Sequence, residues 1–275
     1  MRRPLDRRRF LAVAAGALAT GTGGAIAALR GSDPRREPVA SGGASTAPTS
    51  SSTGATSSTA APSTSTTPTS TSTTTTTAAP ASAGGTRVLC RDAWGAAPPA
   101  GALPAHTVDR LTIHHTGVAL TDPRTAPARM RGHQRYHQRH GFTDIAYHLV
   151  IDGTGNVYEG RDRGQPGETF TDYDPTGHLL VTLEGNFDEQ PLPGAQLDAL
   201  VAVMAWACRH YGIAPDAILS HRDWASTSCP GAAAHGVIAD GTLARRVEAA
   251  MGADLVPWCG PDAAAHVAAI EAGTA

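Results

Sequence analysis

The sequence predicts a single α/β domain, with a central mixed β-sheet flanked by helices, preceded by an N-terminal region with no fold of its own. Three observations predict it. Short, alternating, β-branched runs read as strands, and they take turns with longer stretches of helical period. Two of the runs are joined by Gly153-Thr154-Gly155, which marks a hairpin inside a series otherwise connected by helices. Residues 41–85 hold only Ser, Thr, Ala, Pro and Gly. No apolar side chain there is larger than Ala, so no burial offsets the entropy of ordering them.

Taken in order, residues 1–30 read as an export signal. Arg7-Arg8-Arg9-Phe10-Leu11 opens a moderately apolar run to Leu29, and Ala25-Ile26-Ala27 offers a small-residue cleavage site. This resembles a twin-arginine signal, so the expected location is secreted or in the cell wall. An uncleaved membrane anchor is the alternative. Residues 31–86 are the expected disordered linker, a flexible tether rich in hydroxyls. Residues 87–275 are the expected folded domain.

Within the domain, Arg110 to Thr116 reads as a strand, and Pro127 to His140 as a helix ended by Gly141. Ala146 to Asp152 and Asn156 to Arg161 form the hairpin. Arg163 to Thr176 is a long loop, a type of segment that often carries function in compact domains. His178 to Leu183 is a strand, and Pro193 to Tyr211 an amphipathic helix stopped by Gly212. Ala217 to Ser220 is a short strand, His221 to Gly231 a loop, and Ala239 to Met251 a last helix.

The net charge is −2, but residues 1–37 carry eight Arg against three acids, so the remainder is acidic. Nucleic acid needs clustered cations and is an unlikely partner. All the basic residues are Arg, which removes Lys from any mechanism. Four cysteines are present. Cys208 falls on the apolar face Leu197, Val201, Met204, Cys208, Tyr211 and is expected to be a buried free thiol. Cys90 and Cys259 lie at the two edges of the domain and are expected to pair, although spacing does not fix connectivity.

Two segments carry chemistry: Ile113-His114-His115-Thr116, and Ser220-His221-Arg222-Asp223 followed by Thr227-Ser228-Cys229-Pro230-Gly231. A catalytic zinc site needs about three protein ligands and an open position. Adjacent strand residues face opposite ways, so one of His114 and His115 faces such a metal. On spacing alone, a core histidine pair with Cys229 in a disulfide remains open. His133 and His137 lie one helical turn apart and imitate a zincin helix, but Gln134 stands where the general-base Glu is needed. They read as helix surface, and Arg129, Arg131, Arg135 and Arg139 as a solvated basic face.

The domain resembles the peptidoglycan recognition proteins and the type 2 amidases. The resemblance rests on Asp92-Ala-Trp-Gly95, Leu111-Thr-Ile-His-His-Thr116, Gly141-Phe-Thr-Asp-Ile-Ala-Tyr-His-Leu-Val-Ile-Asp152, Gly155-Asn-Val-Tyr-Glu-Gly-Arg161, Leu183-Glu-Gly-Asn-Phe187 and the His221 to Gly231 segment. It implies zinc held by His114, His221 and Cys229, with Tyr147 and Thr227 as catalytic groups. His115, His137 and Asn186 are candidates for substrate contact. It implies hydrolysis of the lactyl–L-Ala amide of peptidoglycan, N-acetylmuramoyl-L-alanine amidase activity, by a monomer with no transmembrane partner. The alternative is a non-catalytic peptidoglycan-binding module, whose members usually lack the Cys ligand. Some relatives carry a Glu where this chain has Thr182, with Glu184 two residues on.

Overall fold

The computed structural model describes residues 85–275; the expected signal and linker, up to residue 84, lie outside the described residues. Seven strands form one mixed sheet in the order β6-β2-β5-β3-β4-β1-β7. These are β1 (Thr86–Leu89), β2 (Arg110–His115), β3 (Leu149–Ile151), β4 (Val157–Glu159), β5 (His178–Leu183), β6 (Ile218–Ser220) and β7 (Leu255–Trp258). Five α-helices accompany them: α1 (Ala126–Arg139), α2 (Gly194–Tyr211), α3 (Ala232–Ala239), α4 (Thr242–Ala249) and α5 (Gly260–Ala272). The fold class is the expected one. The hairpin β3–β4 is antiparallel, and every other pairing is parallel.

The site is placed by the two-residue period of the strands. Leu111 and Ile113 of β2, with Leu179, Val181 and Leu183 of β5, face a core completed by Leu200, Val203, Met204 and Ala207 of α2 and by Leu243 and Val247 of α4. Each of these Val, Leu, Ile and Met side chains contributes about 1.5–3 kcal/mol by leaving water. The intervening residues must then face the other way. His114 is paired across the sheet with Thr182, and Thr182 with Val150. Val150 belongs to a second core with Tyr158, Trp94, Met130 of α1 and Val267 of α5. Helices α1 and α5 cover only part of that face. The row through His114 is covered instead by the long loop between β4 and β5.

Several expectations are refined by the structure. Helix α1 has Pro127 in its first turn, where the missing N–H costs nothing, and α2 stops at Gly212, whose φ of 69° gives the left-handed cap. The α2 apolar face is centred on Leu200, Val203, Met204 and Ala207, with Leu197 and Tyr211 only partly buried. Strands β1 and β7 and helices α3 and α5 were not read from the sequence. Cys90 and Cys259 are disulfide-bonded, tying the residue after β1 to the residue after β7, and Cys208 is a buried free thiol. Among the described residues no helix is long and apolar enough to cross a membrane.

The expected solvated basic face of α1 holds for Arg135 and Arg139, which are exposed, and is corrected for Arg129 and Arg131. Arg129 is not solvated: it pairs with the buried carboxylate of Glu184 and donates to the carbonyls of Val118 and Ala119. His133 meets the other Glu184 oxygen at 2.9 Å, and Arg131 pairs with Glu271 and donates to the Trp94 carbonyl. The Glu184 carboxylate, buried just past the end of β5, draws Arg129 inward, because an unpaired buried charge is costly.

Candidate metal centre

The side chains of His114, at the end of β2, and of His221 and Cys229, from the loop after β6, converge. One ligating atom from each lies within 4.8 Å of the others. His114 Nδ1 stands 3.7 Å from Cys229 Sγ, and the two imidazole centroids are 4.4 Å apart. Zinc bond lengths of about 2.0–2.3 Å in a tetrahedron require donor separations of roughly 3.3–3.8 Å. The donor set therefore fits a zinc ion in spacing and in chemistry. His115 points to the opposite face, where its Nδ1 accepts the Phe187 N–H at 3.3 Å, while its own backbone N–H donates to Cys229 Sγ at 3.3 Å.

The loop that delivers Cys229 is fixed locally. Ser220 and Asp223 form a reciprocal cap around the short turn that begins with His221. Thr227 Oγ1 accepts the Cys229 N–H at 3.2 Å. Gly231, at φ 86°, lies so close to the Phe187–Asp188 backbone that a Cβ would sit 2.6 Å from the Phe187 carbonyl carbon. Only glycine lets the chain turn there.

Burial sets the protonation of the three groups. It lowers His114 well below 6.5, with His221 the next cause, and it lowers His221 to about 4. Both imidazoles are neutral at pH 7 and carry a lone pair for a cation. Burial pushes the Cys229 thiol up to about 12, with the His115 N–H opposing it. The centre thus carries no charge of its own, in a place that offers two nitrogens and a sulfur.

The cleft over this centre has a volume of ≈ 220 Å³. Tyr147 lines it, with its ring 5.5 Å from that of His114. Burial raises the phenol's pKa, so Tyr147 keeps its proton and is a donor. Thr227 and His137 also line the cleft; His115 borders it too, but its ring is turned to Phe187 on the other side of the strand. His137 Nδ1 accepts the Ala146 N–H at 3.2 Å, and its ring stacks on Phe142. Asn186 is elsewhere: its side-chain oxygen accepts the Asp188 N–H in a turn, and it does not line the cleft. Thr182 is buried beside His114 with its hydroxyl unpartnered, and Glu184 is engaged by Arg129 and His133. His133 is not among the residues that converge on the centre.

Sequence reasoning missed one wall. Glu168, Thr169, Phe170 and Thr171 line the cleft from the loop between β4 and β5. Phe170 stacks on Phe142 at 4.4 Å and stays exposed. The length of the loop was the only signal for it.

The mixed sheet, the cleft and the His-His-Cys cluster define an α/β scaffold with a place for a metal. A family model described as N-acetylmuramoyl-L-alanine amidase matches residues 104–232. Peptidoglycan-recognition protein SD of Drosophila simulans is 33% identical over 156 residues, covering 55% of this chain and 83% of the relative. An N-acetylmuramoyl-L-alanine amidase of Sus scrofa is 37% identical over 153 residues, covering 52% of this chain and 25% of that longer protein. Among solved structures, the ectodomain complex of peptidoglycan recognition proteins LCa and LCx bound to tracheal cytotoxin aligns with a TM-score of 0.51 at 25% identity, covering 55% of this chain and 93% of that one. The chain belongs to the family of peptidoglycan recognition proteins and type 2 amidases.

Proposed function

We propose that the protein is an exported zinc-dependent N-acetylmuramoyl-L-alanine amidase, which hydrolyses the amide between the lactyl group and L-Ala in bacterial peptidoglycan. The observation that carries this reading is the convergence of His114, His221 and Cys229 beneath a cleft lined by a protonated Tyr147. Two relatives named as amidases, from pig and human, support the reaction class.

The three residues would hold zinc, which supplies Lewis acidity and an activated water at neutral pH. The chain's own groups do the rest. Neutral imidazoles on the end of a rigid strand and a capped turn fix where the donors stand. The Tyr147 hydroxyl, protonated in the cleft wall, would donate to the oxygen of the tetrahedral intermediate, a kind of contact whose loss costs about 10²–10³ in rate. Thr227 lines the same cleft, and its hydroxyl, which accepts the Cys229 N–H, would still have its proton to offer the scissile amide. The Phe142–Phe170 wall is apolar and suits the carbon skeleton of a stem peptide or sugar ring. Residues 1–30 would export the chain to this substrate.

The test is release of fragments from dye-labelled cell walls by the full chain, with and without a chelator, and mass spectrometry of the products. The expected products are stem peptides with a free L-Ala amine and glycans with a free lactyl carboxylate. Wall binding without any release, in a zinc-loaded sample, would instead establish a recognition module.

A further inference from the structure

We infer that Arg129, held by Glu184, is a positioning residue that clamps the backbone of residues 118–119 and so fixes the rim of the cleft beside Thr116 and Gly117, on which the grip on substrate depends. The effect on substrate rests on the function proposed above; the clamp itself does not.

The segment that needs holding follows β2. Thr116 and Gly117 line the cleft. Their backbone N–H groups donate to the carbonyls of Leu183 and Gly185, each at 3.0 Å, and the Thr116 hydroxyl accepts the Gly185 N–H at 3.0 Å. Beyond Gly117 this ladder stops. Among the described residues, Val118 and Ala119 make no backbone–backbone hydrogen bond, and the next fixed point is the Leu120 N–H, which donates to Gln190 Oε1 at 3.0 Å. Val118 and Ala119 are held through their carbonyls instead, by one guanidinium. Arg129 Nη2 donates to the Val118 carbonyl at 2.6 Å, and Nη1 to the Ala119 carbonyl at 2.9 Å.

The third side of that guanidinium, Nε, donates to the Glu184 carboxylate. Glu184 is buried and fixed from the sheet. Its N–H donates to the Ile151 carbonyl at 2.8 Å, and its own carbonyl accepts from Gln196 of α2 at 3.1 Å. A carboxylate only accepts, so His133 Nε2, 2.9 Å from its other oxygen, is also a donor. Arg129 and His133 stand one turn apart on α1, and His137, a further turn on, lines the cleft. Glu184 therefore docks α1 against the rim, and Arg129 passes that placement to two peptide carbonyls. The planar fork of Arg reaches three acceptors in fixed directions, whereas a Lys ammonium is a point charge on a flexible stem. Arg129, His133 and Glu184 do not line the cleft themselves, so they act through the rim.

The test uses Arg129→Lys, Arg129→Met and His133→Gln in the full chain. Amide hydrogen exchange followed by NMR reads the clamp directly. The N–H groups of Gly117 and Leu120, which flank the clamped carbonyls, should exchange about 10-fold faster in both Arg129 variants, while those of β2 and β5 stay as in the wild type. His133→Gln keeps a donor for Glu184 and should leave all of them unchanged. With a soluble N-acetylmuramoyl-peptide, KM should rise about 10-fold in Arg129→Lys while kcat stays within about 2-fold and zinc content is unchanged. An ion pair with no clamping role would survive Arg129→Lys, whose ammonium still faces Glu184. Wild-type exchange at Gly117 and Leu120 in both Arg129 variants would overturn the clamp, and faster exchange with an unchanged KM would overturn its part in substrate binding. A wild type that leaves the peptide uncut would overturn the proposed function, while the exchange data would still decide the clamp.

Discussion

The pairing of Arg161 with Glu168 is the contact that fixes the cleft's loop wall, and Glu168→Gln tests it. Arg161 has a side-chain exposure of 2%. Its Nε donates to the Ile145 carbonyl at 2.9 Å, and its other nitrogens reach the carbonyls of Asp144 and Pro166 and the Thr143 hydroxyl. Glu168 is its carboxylate partner and also accepts the Thr143 N–H at 2.8 Å. Gln preserves the shape and the neutral hydrogen bonds but leaves a guanidinium charge buried among carbonyls. Breaking a buried pair from one side costs about 3–5 kcal/mol. Glu168 is 19% exposed, and water reaching it lowers the expected loss to roughly 2–3 kcal/mol. With a urea slope near 2 kcal/mol/M, the unfolding midpoint should fall by about 1–1.5 M, followed by far-UV circular dichroism. Replacing both partners with apolar residues (Arg161→Met with Glu168→Leu) should cost less than Glu168→Gln alone. A midpoint shift below about 0.3 M at unchanged slope would refute the reasoning.

Further outcomes follow from other parts of the structure. The Cys90–Cys259 bond closes a loop with a sequence separation of 169; chain entropy puts its worth near 5 kcal/mol, so Cys90→Ala with Cys259→Ala should cost about 2–5 kcal/mol, and an unchanged melting temperature would remove that role. Gly231→Ala must push against the Phe187–Asp188 backbone at φ 86°. It should lose about 1–3 kcal/mol by chemical denaturation and bind less zinc than the wild type; full zinc content would contradict the tight fit. His148 accepts the Leu180 N–H and donates to the Gln165 carbonyl, and burial, against that carbonyl, lowers it from 6.5 to about 3. The unfolded chain therefore binds this proton more readily, so the stabilisation is complete above pH 6.5 and is lost as pH falls toward about 3. Stability should fall by up to about 1.4 kcal/mol per pH unit from this group, and a flat urea midpoint between about pH 6.5 and 5 would contradict it.

The strands that build the site were legible because their signals are local. Arg110 to His115 and His178 to Leu183 are β-branched runs that become the paired central strands β2 and β5. Their alternation also separates His114 from His115. Strands β1 and β7 were not legible: they are four residues each, and β7 contains Pro257, tolerated because β7 lies at the edge of the sheet. The ligand set was legible through the order of the motifs, not through spacing, since His114 and Cys229 are brought together across the length of the domain. The Glu168 to Thr171 wall was invisible for a different reason. A loop has no period, and nothing in Arg163 to Thr176 says which side chains will face the cleft. The inward turn of Arg129 was equally hidden, because the cause is Glu184, which lies just after β5, far along the chain.

Metal-stripped full-length protein, titrated with zinc while cleavage of a defined N-acetylmuramoyl-peptide is followed, bears on the whole reading at once. Activity should rise in proportion to added zinc and level off at one ion per chain, and Cys229→Ala should stay inactive at every ratio. Full cleavage by the stripped protein, or one bound zinc per chain with the lactyl–L-Ala bond left intact, would show that these three side chains do not power an amidase.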